Sequence, residues 1–255
     1  MRFSPRMRFN PRAVSLLTYF AILLFNIYTL DLYFSQHLNL YSHPRYALFT
    51  VAFNAVSLVA CGVGFVLTAW RIAGGADVSR VSWRPPLTVL VAGVVLVAAY
   101  ALPARTLTSD TADQRSGNFN TSPVQSSNTS NTLALVSADT SRLTIADWAA
   151  AFSLKTSPSF YAGKKVDIVG FVFHPKGTPS DVFYVSRFRI TCCSVDAQPL
   201  GVPVYSPGWQ EKFEENSWVH AVGSFTETDQ DIAEPAVVTP QSIESTDQPK
   251  DPYVT

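Results

Sequence analysis

Three long apolar runs fill the first hundred positions of the chain, and a polar stretch followed by short alternating runs fills the rest. A helix that crosses the hydrocarbon core of a bilayer needs about 20 mostly apolar residues, because its backbone polar groups must pair within the segment. Residues 13–34, 46–70 and 87–102 meet that pattern, the third with the help of its flanks. Residues 107–132 are rich in Ser, Thr and Asn and show almost no apolar period. Such a segment buries too little surface to offset its ordering entropy. Order is expected to resume at "RLTIADWAAAFS", where Ile145, Trp148, Ala149 and Phe152 fall on one helix face and Thr144 with Asp147 makes a capping box. The period then changes to two, and strands are predicted over 164–173, 181–192, 202–206, 218–225 and 236–245.

Five short strands, with Gly170 and Gly223 where a strand must coil sharply, suit a small all-β OB-like barrel preceded by one helix. A sandwich is the alternative. The expected organisation is a cytoplasmic N-terminus (1–12), an α-helical membrane region of three transmembrane helices (13–105), a flexible Ser/Thr/Asn-rich linker (106–141) and an extracytoplasmic OB-like domain (142–255).

Charge gives the orientation. Arg2, Arg6, Arg8 and Arg12 precede the first run, and Arg71, Arg80 and Arg84 lie between the second and third, whereas Arg45 alone marks the first loop. Positive flanks stay in the cytoplasm, so three crossings carry everything after residue 102 to the other side of the cell membrane. The first run is longer than a signal-peptide core, and no small-x-small cleavage site follows it. Asp31, near the end of that run, is the one acidic residue at membrane depth and is by default a functional candidate, with an interfacial position as the plainer reading. Asn120 and Asn128 begin formal glycosylation sequons.

The formal net charge is zero, which gives no field for nucleic acid. In the predicted barrel Lys164, Lys165, Lys176, Arg187, Arg189 and Lys212 are offset by nearby acids, so Phe171, Phe173, Tyr184 and Phe188 read as core rather than as base-stacking platforms. No Gly-rich phosphate loop, G-x-S-x-G or HExxH occurs, so an enzyme is not expected. Three cysteines are too few for a disulfide framework, but two of them, Cys192 and Cys193, are adjacent. If the strand continues through them, Cys192 shares the core face with Ile190 and Cys193 points out. Three readings stand side by side. One thiol is a small buried hydrophobe and the other incidental. Alternatively a bend at "CCSVD" brings both sulfurs together as a site for zinc or another soft metal, with Asp196 and His174, or His220, as further ligands. The third is a strained, reducible vicinal disulfide.

The stretches "LNLYSHPRYALFTVAF", "LPARTLTSDTADQRSGN", "TIADWAAAF", "YAGKKVDIVGFVFHP", "SRFRITCCSVDAQPLGVPV", "SWVHAVGSF" and the terminal "DPYV" together resemble the YcgQ-like family of bacterial membrane proteins. That resemblance implies an auxiliary subunit of a two-component permease similar to the organoarsenical-exporter class, and it implies no catalytic residue. The expected function is a membrane-anchored accessory subunit whose β domain captures or gates a solute, with an integral-membrane permease and the lipid bilayer as partners. An envelope protein-interaction module without a ligand is the alternative.

Overall fold

The structure, a computed structural model, describes residues 11–74, 84–102, 105–115, 119–120, 140–153, 157–228 and 231–254. It divides into two compact units, Met1–Arg105 and Thr106–Thr255.

The first unit is helical. Uninterrupted apolar sequence gives α1 (Pro11–Phe34), α2 (Ala47–Ala73) and α3 (Arg84–Ala101), with α1 packed against both of the others. Between α1 and α2, His43 ends a short loop by accepting the Arg45 N–H on its Nδ1 at 3.1 Å. Leu16–Phe34 and Pro44–Arg71 are long and apolar enough to cross a membrane. The third expected span is also a helix, and among the described residues its apolar stretch, Leu90–Ala101, is shorter than the other two. Asn26 and Asn54 are buried between α1 and α2, where Asn26 Nδ2 donates to Ile22 O (2.7 Å) and Ser57 Oγ (3.2 Å) and Asn54 Nδ2 donates to Asn26 O (3.2 Å). The Cys61 thiol is also buried and donates to Tyr19 O. Asp31 is exposed on α1.

The second unit is a closed five-stranded barrel. Its strands are β1 (Lys165–Phe173), β2 (Val182–Arg189), β3 (Gln198–Tyr205), β4 (Trp218–Glu227) and β5 (Ala236–Ser245). They close in the order β1-β2-β3-β5-β4-β1, antiparallel throughout except for the parallel contact of β3 with β5. The strict alternation of buried and open positions along β4 shows how the period-two pattern sends one face inward. Two glycines allow the sheet to close. A Cβ on Gly170 would lie 2.5 Å from Ser186 O, at the point where β1 passes from β4 to β2. A Cβ on Gly223 would lie 2.4 Å from Thr239 O at a bulge, where Pro240 breaks the β4–β5 ladder.

A sixth strand, β6 (Tyr253–Val254), pairs in parallel with the end of β2 where β1 has left it. The sequence pattern gave no sign of it. The expected helix is present as α5 (Ile145–Ser153), after the shorter α4 (Ser109–Gln114). Its capping box forms as read from the sequence: the Thr144 N–H donates to Asp147 Oδ2 at 2.8 Å and the Asp147 N–H to Thr144 Oγ1 at 3.3 Å. α5 lays Ile145, Trp148, Ala149 and Phe152 against the barrel core, with Trp148 edge-on to Phe225 at 4.7 Å. The next turn, α6 (Pro158–Tyr161), adds Tyr161, whose hydroxyl donates to Ala151 O at 2.8 Å.

The expectation of a free tether over 106–141 is corrected where that segment is described. Thr106 Oγ1 donates to Gln248, the Leu107 N–H to the Tyr253 hydroxyl, and the Ser109 N–H to Asn216 Oδ1, while Asp113 pairs with Lys176 at 2.8 Å. Ala112 and Asn120 are buried, and Thr140 Oγ1 donates to Lys165 O. The described residues of this polar segment bind the barrel through hydrogen bonds, which composition alone does not distinguish from solvation.

Candidate functional site

The adjacent cysteines lie just past the end of β2, which stops at Arg189 and not, as the alternation suggested, at Cys192. Ile190 still faces the core and donates its N–H to Val254 O. The chain then curls around one carboxylate. The N–H groups of Thr191, Cys192 and Cys193 donate to Asp196 at 3.2, 2.7 and 3.3 Å. Cys193 in turn accepts the Asp196 N–H on its side chain, which starts a single 3-10 turn, Ser194–Asp196. Successive N–H groups on a strand point to opposite sides, whereas three pointing at one anion require a concave, nest-like backbone. The expectation that Cys192 shares the core with Ile190 therefore fails. Cys192 is exposed, Cys193 is half-buried and neither is in a disulfide.

Arg115 holds the turn from the other side. Its Nη1 donates to Ala197 O at 2.5 Å and Ser194 O at 3.3 Å. Each tie costs the turn freedom in advance, so little is left to lose when something binds. At the tip stands Val195, 80 % exposed, the only large hydrophobic side chain so exposed among the described residues after Leu102.

The other residues expected to act as ligands are not brought to the thiols. The His174 ring packs on Trp209, 5.6 Å between centroids, with its Nε2 3.4 Å from Pro179 O. His220 Nε2 pairs with Asp167 Oδ1 at 2.6 Å across β4 and β1. Among the described residues no three His, Cys, Asp or Glu side chains form a group that could hold a metal ion. The four-residue set Cys192, Cys193, Asp196 and His174 is thus not assembled, because Asp196 is occupied with the backbone of its own turn and His174 with Trp209.

A second carboxylate is organised quite differently. Glu234, 6 % exposed, accepts the Tyr184 hydroxyl on Oε2 at 2.5 Å and Asn120 Nδ2 on Oε1 at 2.8 Å. Asn120 also mimics a strand neighbour of β3: its Nδ2 donates to Gly201 O at 2.9 Å and its Oδ1 accepts the Gly201 N–H at 3.0 Å. Burial, and then the charge and hydrogen bond of Glu234, push the Tyr184 hydroxyl well above the ordinary tyrosine range. It serves as a permanent donor. Phe119 covers this network, its ring 5.0 Å from Tyr184 and 5.7 Å from Phe173. Asn120 itself is therefore buried, and the sequon at Asn128 lies outside the described residues.

Sequence reasoning missed Arg115, Glu234 and the Phe119 and Asn120 pair. A signal existed for the first, since Arg115 is the only basic residue in 106–141. Phe171, Phe173, Tyr184 and Phe188 are all buried, as expected of core residues.

Residues 119–255 match the family model described as the DUF1980 C-terminal domain, a stretch that opens on Phe119 and Asn120 and holds the whole barrel. Neither a curated protein nor a solved structure matches the chain.

Proposed function

The chain belongs to the DUF1980 C-terminal domain family, and we propose that it is a membrane-anchored accessory subunit of a permease whose barrel captures or gates a solute. The observation that carries this reading is the turn at Cys192 and Cys193. It is fixed by Asp196 and Arg115, yet it leaves Cys192 and Val195 exposed.

The helical unit supplies the anchor, since many of its large apolar side chains face outward while Asn26 and Asn54 are buried. The arginine pattern supports a cytoplasmic N-terminus and an extracytoplasmic barrel. The strand order and the parallel β3–β5 contact fit an OB-like barrel. Barrels of that class bind oligonucleotides on the face of strands two and three. Here Phe119 and Asn120 cover Tyr184 of β2 and Gly201 of β3, which supports a role away from nucleic acid.

Val195 also favours the second reading, an envelope interaction module that has no ligand of its own. Purification from membranes in mild detergent tests both. Under the first reading an integral-membrane permease copurifies, and recovery of the chain alone under conditions that preserve other membrane complexes overturns it. Replacement of both Cys192 and Cys193 by Ser is expected to leave the complex intact but abolish solute handling. If the double variant is fully active and only Val195→Asp disrupts the complex, the module reading replaces it. An impermeant maleimide applied to intact cells is expected to label Cys192, and labelling only after lysis would reverse the orientation.

A further inference from the structure

We propose that the three helices of the first unit hold a binding site for a neutral, mostly apolar molecule that carries a hydrogen-bond donor, with a long-chain alcohol as the type case. The site lies outside the barrel and stands independently of the accessory-subunit reading. α1 packs against both α2 and α3, and the three helices line a cavity of about 890 Å³. Small-molecule sites span about 300–1,000 Å³. Phe25, Phe49, Phe53, Val91 and Val95 supply much of the apolar lining, with Asn26, Asn54 and Ser57 among its polar members.

One atom of that lining is left incomplete. Asn54 is 7 % exposed, and its Nδ2 donates to the Asn26 carbonyl at 3.2 Å. A carbonyl only accepts, so the amide nitrogen must face it and Oδ1 is the end left over. Oδ1 is buried and has no hydrogen-bond partner. The other polar side chains are engaged: Asn26 donates to Ile22 O and Ser57 Oγ, Thr29 to Phe25 O and Thr50 to Tyr46 O. An unpaired amide oxygen in an apolar medium is costly. Acyl chains can fill the cavity but bring no donor, so they leave that cost in place; a hydroxyl removes it. Because Oδ1 has no open surface of its own, the amide meets an entering donor by a slight turn about its last side-chain torsion, which is soft.

Charge and length narrow the occupant. Among the described residues no charged side chain lines the cavity, so a charged ligand would be desolvated without a counter-charge. The lining is confined to residues 21–29 of α1, 49–57 of α2 and 91–96 of α3. At 1.5 Å per residue the longest of these stretches covers about 12 Å, or little more than two turns. A partner helix that crosses the bilayer runs for about 20 residues and would draw on far more of α2. A compact molecule fits the shorter site.

The test uses the full chain in phosphatidylcholine vesicles and a photoactivatable diazirine derivative of hexadecanol. Label is expected on the cavity residues of all three helices, and unlabelled hexadecanol should displace it about tenfold better than hexadecyl methyl ether, the size of one hydrogen bond. Asn54→Leu should make the two competitors equal, whereas Thr50→Val should keep the preference. Ala92→Phe puts a ring into the cavity from α3 without touching the Asn26 and Asn54 pair, and is expected to cut labelling at least fivefold. The site is overturned by equal competition in the unaltered chain, by a preference that survives Asn54→Leu, or by label spread over outward residues such as Phe20 and Val59, which would mean acyl chains only. Undiminished labelling of Ala92→Phe would also overturn it. Cross-links between two copies through these same residues would give the cavity to a helix of a second chain instead.

Discussion

The helical unit and the barrel are built inside out relative to each other. Phe20, Phe53, Leu48, Val59 and Trp70 stand exposed on the helices while Asn26 and Asn54 are buried; in the barrel Phe183, Phe225 and Trp148 are buried and the charged side chains lie mostly outside. Around α1 and α2, which are long and apolar enough to cross a membrane, the outward apolar surface is what a lipid environment would accept, and the inward amides bond to the two helices' own groups, which hydrocarbon would not replace. Around the barrel the outward surface must satisfy water. That makes two residues stand out there: Glu234, a carboxylate inside, and Val195, a large apolar side chain outside.

The contrast can be broken first where it is largest. Phe225→Ala removes a fully buried ring that meets Trp148, Phe152 and Tyr161, and is expected to cost about 3–5 kcal/mol of barrel stability. Phe20→Ala, on a ring 55 % exposed on α1, should leave the denaturation midpoint of the barrel unchanged. Tryptophan fluorescence in a denaturant titration of the full chain in detergent measures both, and equal effects would refute the inside-out arrangement.

A smaller effect comes from pH. Tyr184 ionises at about pH 10 in the unfolded chain, whereas burial first and Glu234 second raise it in the folded protein. As pH climbs past 10 the unfolded chain releases a proton that the folded protein keeps, so the unfolded state gains. This contribution is fully present below pH 10 and is lost above it by up to about 1.4 kcal/mol per pH unit. Tyr184→Phe should flatten that slope in alkaline denaturation curves, and an unchanged slope would show that Tyr184 ionises in the native state. Smallest of all, Val195→Ser should change stability by less than about 0.5 kcal/mol, since the side chain is already in solvent. A larger loss in thermal melts would mean that Val195 holds the turn together and is not an outward contact.

What was legible in the sequence was local. The capping box of Thr144 and Asp147 needs three neighbouring residues and nothing else, and it formed as read. The strands were legible wherever one face is buried, and β5 runs over the predicted 236–245. At Cys192 the same rule failed, because a carboxylate four residues further on captured the backbone and ended the alternation. The polar run before the barrel misled for a related reason: Asn120 bonds to Gly201 and Glu234, 81 and 114 positions away, and no periodicity encodes such partners.

By itself the sequence determined which segments suit lipid, which form strands, and that two thiols are adjacent, because periodicity, apolar length and chain order are properties of neighbours. Only the tertiary structure decided that Asp196 curls the turn, that Arg115 pins it, that Phe119 and Asn120 close over Tyr184, and that β6 completes the edge of β2. Apart from the Asp196 turn, whose partners lie within five residues of it, each of these is a hydrogen bond or ring contact between residues whose meeting depends on the barrel having closed. Until closure those donors and acceptors are satisfied by water, and nothing local favours one partner over another.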